Sequence, residues 1–309
     1  MKLVLSDTGA DFAAWQAAFR EGAPDLTLVH DKGGASLPGI RYAMTWKPEA
    51  DLYRRMPDLA ALFVLGAGIE RFLADATVPP QIKIVKMAEP GLTQAMEHYV
   101  LWQVLNHHRR FWELDAAQRE ATWIDQTYPA PWERRVGVLG LGTLGAAIAT
   151  LLAAFGFATR GWSRSAKTID GVECFAGPES LDAFLDGVEI LVCLLPLTDE
   201  TRGILNAQLF AKLAPGAGLI NVGRGAHLNE SDLIPALDSG RLTAASLDVM
   251  AMEPLPAGHP FWKHPRIFLT PHLAADVDPV TSAVAIRQQI ARFEAGRPLE
   301  HVAERARGY

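Results

Sequence analysis

Arg224, Glu253 and His272 each lie just past an apolar run that reads as a buried strand. The runs are Gly218-Leu219-Ile220-Asn221-Val222, Ala244-Ala245-Ser246-Leu247-Asp248-Val249 and Ile267-Phe268-Leu269-Thr270. In open parallel sheets a ligand lies outside the carboxyl ends of the strands, so polar residues at those ends are the ones to collect. The collection also holds Ser163-Arg164-Ser165, Pro196-Leu197-Thr198 and Asp248. A histidine titrates near neutral pH and can move a proton. A carboxylate beside it favours the protonated ring, and the arginine fork matches a carboxylate or a polarised oxygen. Together they form a chemical set that needs a scaffold to assemble it.

The scaffold is announced by Arg135-Val136-Gly137-Val138-Leu139-Gly140-Leu141-Gly142-Thr143-Leu144-Gly145, which reads as a strand, a glycine turn and the start of a small-residue helix. Gly140, Gly142 and Gly145 have G-x-G-x-x-G spacing. One permits the tight turn, one lets backbone approach a pyrophosphate, and one lets the helix pack closely on the strand. The phosphates would meet Thr143, Leu144 and their neighbours at the helix N-terminus, where unpaired N–H groups and the helix dipole favour negative charge.

From Val136 to Thr159 no residue is charged, a length that could also span a bilayer. The glycine cluster and the many alanines favour instead a soluble βαβ unit buried on both faces. The chain has 309 residues, 49% hydrophobic and 21% charged, enough for two domains with their own cores. A net charge of −6 gives no general attraction to nucleic acid or an anionic membrane. Cys174 and Cys193 stand in apolar surroundings with no paired spacing, which predicts buried reduced thiols, and no metal-ligand cluster is visible. The N-terminal apolar run is too short for a signal peptide, so a cytoplasmic protein is expected.

Strand-like runs alternate with helix-length segments along the whole chain, which predicts α/β architecture with parallel sheets flanked by helices. A helix is expected near Asp11 to Arg20. A long one is expected from Thr93 to beyond Trp112, with Tyr99, Trp102, Val104, Leu105 and Phe111 on its apolar face. Asn229 is expected to cap a helix that stops at Gly240, and a last helix runs from about Pro279 to Ala295.

These pieces, in this order, resemble the D-isomer-specific 2-hydroxyacid dehydrogenase family over nearly the whole chain. They are the glycine turn, Leu195-Pro196-Leu197-Thr198, Asn221-Val222-Gly223-Arg224-Gly225, Leu247-Asp248-Val249, Glu253-Pro254-Leu255-Pro256 and Thr270-Pro271-His272-Leu273-Ala274-Ala275. Each piece alone is weakly specific; the ordered set is strong. The resemblance, closest to glyoxylate/hydroxypyruvate reductases of bacterial type, implies two Rossmann-like or flavodoxin-like domains with a cleft between them. Residues 1–95 with 278–309 would bind substrate, and residues 96–277 would bind the dinucleotide.

The implied reaction is reduction of a small 2-keto acid, glyoxylate or hydroxypyruvate. It needs a proton donor, a carboxylate anchor and a dry nicotinamide pocket. His272 would be the acid, Glu253 its partner and Arg224 the anchor. Leu195, Pro196, Val222, Gly223 and Asp248 would line the cofactor, with Asp248 beside the nicotinamide ring. Trp46 and the loop Gly66-Ala67-Gly68 would meet the substrate. Phosphoglycerate or D-lactate dehydrogenases and nucleotide-sensing corepressors share enough of the pattern to stand as alternatives.

NAD-binding relatives carry an acid at the end of the strand after the glycine helix. Here Ser163 stands there, followed by Arg164, Ser165 and Lys167, two hydroxyls and two cations suited to a 2′-phosphate. NADPH is therefore expected over NADH. The segment from Thr93, with Trp102, Phe111, Trp112 and Trp123 as apolar anchors, is expected to form a homodimer interface, as is common in the family. Asp276 and Asp278 stand where the family more often has uncharged or hydroxyl residues.

Overall fold

The apolar runs of the N-terminal region form β1 (Lys2–Leu5), β2 (Thr27–His30), β3 (Tyr42–Thr45), β4 (Ala61–Val64) and β5 (Lys83–Lys86), paired in parallel in the order β2-β1-β3-β4-β5. They belong to the first of two units in a computed structural model that describes residues 1–66 and 68–305. One unit spans Met1–Gln94 and Ala275–Tyr309, the other Ala95–Ala274. The strand order of the first is flavodoxin-like. Leu3, Leu5 and Phe63 pack on one face with Phe19 and Ile286, and Val4, Leu62 and Val64 on the other with Leu52 and Phe72. Burial on both faces is why these strands are almost uniformly apolar rather than alternating.

Local signals set the helices of this unit. The Asp11 carboxylate accepts from the Ala13 and Ala14 amides and starts Phe12–Gly22. That helix packs on Pro279–Glu294, so closely that a Cβ on Gly22 would lie 2.9 Å from the Val280 carbonyl oxygen. Asp278 caps the second helix, accepting from Thr281 N at 2.8 Å, and the Thr281 bonds hold its carboxyl below the ordinary range. Its charge thus serves a helix start; Asp276 is exposed. Just past β2, Asp31 accepts from Arg55 Nη1 and Nη2, both at 2.6 Å, and from the Ser6 hydroxyl at 2.7 Å, all buried.

The second unit carries β6 (Arg135–Leu139), β7 (Ala158–Ser163), β8 (Val172–Ala176), β9 (Ile190–Cys193), β10 (Ala217–Asn221), β11 (Leu242–Leu247) and β12 (Ile267–Leu269), all parallel, in the order β12-β11-β10-β9-β6-β7-β8. The order reverses between β6 and β9, which makes the ends of these two strands the switch point. The charge-free run resolves into β6, the turn, the helix Thr143–Ala154 and the start of β7. No helix among the described residues is long and apolar enough to cross a membrane. The edge strand β8 mixes Glu173 with partly buried residues and lacks a fully apolar run.

Other details differ from expectation. The long helix is two, Pro90–His108 and Phe111–Arg119, broken where Arg110 takes a left-handed φ of 47°. Tyr99 and Val104 point inward with Gln103 and His107, whereas Trp102, Leu105 and Phe111 are exposed. Trp112 is buried against His107 and Phe268 and so is no surface anchor. Asn229 precedes the helix Glu230–Asp238, but its Oδ1 accepts from the Ser231 hydroxyl instead of a helix amide. Cys193 is buried, with burial pushing its thiol up to about 12, while Cys174 is only partly covered.

Candidate active site

The glycine turn begins where β6 ends. Gly140 has φ +102°, and a Cβ there would lie 2.8 Å from the Leu194 carbonyl oxygen and 3.0 Å from the Leu195 nitrogen, so the end of β9 presses on the turn. A Cβ on Gly145 would overlap the Gly140 carbonyl, which is how the helix comes so near the strand. Gly142 caps the helix with no side chain on its first turn, and a Cβ there would meet nothing within 4 Å. The amides of Thr143, Leu144 and Gly145 therefore begin a helix whose open end can take a pyrophosphate.

At the end of β7 the Ser163 hydroxyl donates to the Ser165 carbonyl at 2.8 Å and closes a short turn. Arg164, Ser165 and Lys167 are exposed on it, and β7 ends without a carboxylate. This surface suits an anion.

Past β10 the backbone of Arg224 is held at both ends. Asn221 Nδ2 donates to its carbonyl at 3.1 Å, and its N–H donates to His227 Nδ1 at 3.0 Å. The guanidinium donates back to the Gly223 carbonyl at 2.8 Å. Gly225 is required by close approach, since a Cβ there would overlap the Met250 carbonyl and the Ala251 nitrogen. The arginine loop and the segment leading to Glu253 thus touch backbone to backbone. Leu195 and Val222 are buried and Pro196 is exposed beside them.

His272 has φ +56°, a left-handed conformation uncommon outside glycine. Asp248 holds it there. The Asp248 carbonyl accepts the His272 amide at 2.8 Å, and its buried carboxylate accepts Thr270 Oγ1 at 2.6 Å, Leu273 N at 2.9 Å and Ala274 N at 3.0 Å. Thr270 Oγ1 in turn lies 2.6 Å from the Tyr99 hydroxyl, whose ionisation burial pushes up to about 12. Asp248 therefore acts on the loop of His272, with both carboxylate oxygens engaged by the chain itself.

His272 Nδ1 lies 2.7 Å from Glu253 Oε2, and Glu253 Oε1 accepts the Met250 amide at 3.0 Å. Partial burial pulls the Glu253 carboxyl up. The His272 hydrogen bond, the Met250 amide and the charges of His272 and Arg224 outweigh it and hold the group below its usual range. With an ionised Glu253 at Nδ1, Nε2 is the ring nitrogen left for proton exchange, an arrangement able to give or take one proton.

In the first unit Trp46 follows β3, its amide donating to Asp7. Its ring presses on Gly66, and the Arg71 guanidinium lies 4.4 Å from the ring centroid. Gly68 follows β4 in a partly buried loop; Ala67 lies outside the described residues. Reading strand ends missed His227, Asn221, Thr270 and Tyr99. Asn221 and Thr270 were in plain view at strand termini, but the partners of Tyr99 and His227 are set by packing.

Residues 101–274 match the family described as D-isomer specific 2-hydroxyacid dehydrogenase, NAD binding domain. The chain is 43% identical over 300 residues to a glyoxylate/hydroxypyruvate reductase A of Serratia proteamaculans, covering 96% of each chain. It is similar to the solved D-isomer specific 2-hydroxyacid dehydrogenase of Xanthobacter autotrophicus in complex with NADPH and MES. That match has TM-score 0.95 and 41% identity over 100% of this chain and 99% of that one. An NADPH-dependent glyoxylate/hydroxypyruvate reductase of Sinorhizobium meliloti, solved with NADP and sulfate, matches with TM-score 0.95 and 39% identity, again over 100% and 99%.

Proposed function

The chain belongs to the D-isomer specific 2-hydroxyacid dehydrogenase family, and on that premise we propose that it reduces small 2-keto acids, glyoxylate to glycolate and hydroxypyruvate to glycerate, with NADPH. The observation that carries the reading is the 2.7 Å His272–Glu253 pair on a segment clamped by Asp248, with Arg224 in the same unit. When bound, the reduced nicotinamide supplies the hydride to C2 of the keto acid. His272 holds a proton at Nε2 and releases it to the carbonyl oxygen as negative charge develops there. Glu253 keeps the ring oriented through Nδ1 and stabilises the imidazolium. Positioned proton transfer of this kind contributes a factor of about 10² to 10⁴. Arg224 offers its guanidinium to the carboxylate or the polarised ketone oxygen.

Gly140, Gly142, Thr143, Leu144 and Gly145 would hold the pyrophosphate, with Leu195, Pro196, Val222 and Gly223 near the nicotinamide end. Arg164, Ser165 and Lys167 would hold the 2′-phosphate on the turn that Ser163 closes, its hydroxyl being spent on the Ser165 carbonyl and not on the phosphate as expected; the choice is supported by the missing strand-end acid and by relatives solved with NADPH or NADP. Trp46, Ala67 and Gly68 would meet the substrate. The reading includes a homodimer, supported by the exposure of Trp102 and Phe111, and a reducing cytoplasm, in keeping with two free thiols.

The test follows absorbance at the reduced nicotinamide band with NADPH or NADH and glyoxylate, hydroxypyruvate, pyruvate and phenylpyruvate, for the protein and for His272→Ala. The expected result is fast NADPH oxidation on the small keto acids, lost in the variant. Tight NADPH binding without turnover on any of the four would refute the reductase reading.

A further inference from the structure

His227 is fully buried, and both of its ring nitrogens are engaged. Nδ1 accepts the Arg224 amide at 3.0 Å, so in the neutral ring the hydrogen is on Nε2. Nε2 lies 3.3 Å from the Pro196 carbonyl, which also receives the Thr201 hydroxyl at 2.7 Å. Room for the ring comes from Gly223, where a Cβ would lie 2.9 Å from Nδ1. The stitching continues along the backbone, with Gly203 N donating to Ala226 O and Leu205 N to His227 O, both at 2.9 Å.

We infer that His227 is a positioning residue for Arg224, a flat rigid strut whose acceptor edge fixes the arginine's backbone and whose donor edge ties that backbone to the Pro196 loop. It touches no reactant; it sets where the guanidinium stands against the substrate carboxylate. Two opposed edges of one planar ring, one accepting and one donating, are what imidazole offers and a simple hydroxyl or aliphatic side chain does not. The inference rests on the reductase reading for its effect on turnover, but the strut itself is testable without turnover.

The two edges can be separated. The oxygen of His227→Asn can stand in for Nδ1 alone, the amide nitrogen of His227→Gln for Nε2 alone, and His227→Phe keeps the shape with neither. Asn, which loses the longer contact to the Pro196 carbonyl, is expected to raise the KM for glyoxylate about threefold, and Gln and Phe, which lose the bond to the Arg224 amide, about tenfold or more, a loss of the order of one hydrogen bond. Hydrogen exchange read by mass spectrometry should find the Arg224 amide protected in the parent and in Asn, and faster in Gln and Phe. Equal KM values in all three folded variants, or an Arg224 amide that stays protected in Phe, would overturn the proposal. Should the variants fail to fold, nitrogen NMR of the parent decides: a hydrogen on Nδ1 of His227 refutes the strut. Absence of glyoxylate turnover in the parent refutes the reductase reading instead, and the exchange pattern still judges His227.

Discussion

Gly142→Ala separates binding from folding more cleanly than any other change in the dinucleotide turn. The residue has φ −71°, which alanine adopts without strain, and its new methyl would meet nothing within 4 Å. Stability should therefore change by less than about 1 kcal/mol, the small loss of a better helix cap offsetting the entropy gained over glycine. The same methyl stands where a pyrophosphate must approach the helix N-terminus. Forcing the phosphate away weakens one or two amide hydrogen bonds to a charged oxygen, each worth about 1.5–3 kcal/mol. The dissociation constant for NADPH should rise about a hundredfold or more. Gly145→Ala is the contrast, because its methyl would overlap the Gly140 carbonyl and lie 2.9 Å from its carbon. The helix must shift, costing about 1–3 kcal/mol of stability as well as affinity. Fluorescence titration with NADPH and thermal unfolding without it read the two effects. A Gly142→Ala protein that binds NADPH within threefold of the parent would refute the assignment of this turn.

Three further outcomes are expected. Arg164→Ala should raise the KM for NADPH about tenfold or more and leave that for NADH nearly unchanged, since a charged hydrogen bond to the 2′-phosphate is what it removes; equal changes for both cofactors would contradict the site. Asp31→Asn leaves the Arg55 charge buried and unpaired, costing about 3–5 kcal/mol near neutral pH by urea unfolding. Burial raises the Asp31 carboxyl, but Arg55, Ser6 and Gly33 outweigh it and hold it below the unfolded value of 3.8. Its contribution is thus present above that pH and lost as acidification passes the lower, folded value, so the gap between parent and variant should close in strong acid; a gap constant with pH would refute the sign. Sedimentation at micromolar concentration should give a dimer, and replacing Trp102, 51% exposed, by a charged residue should yield a monomer if this helix is the interface.

Elements with strong local chemistry were legible from the residues. The glycine spacing, the helix near Asp11 to Arg20 and the apolar runs of β1, β6, β9 and β10 all carry their instruction within a few residues of the place they act. The break at Arg110 was not legible, because Arg109-Arg110 holds neither glycine nor proline and the apolar spacing runs through it. The inward turn of Gln103 and His107 ahead of Trp102 was hidden as well. Ser246, which bonds His107 at 3.0 Å and Gln103 at 2.7 Å, lies about 140 positions away, and no periodicity reports so distant a partner.

The candidate site divides in the same way. Which residues stand at strand ends, and which chemistry they could do, is legible along the chain because strand runs and terminating glycines are local, and Arg224, Glu253 and His272 follow in order. How each is held emerges only on folding: Asp248 gripping the His272 loop, Glu253 reaching Nδ1, and His227 bracing the Arg224 amide. Those contacts depend on backbone segments brought together by parallel pairing. A parallel sheet sets neighbours by crossovers of many residues, so the partner of a strand-end side chain is fixed by register and close approach, as at Gly225 against Met250, and not by spacing along the chain.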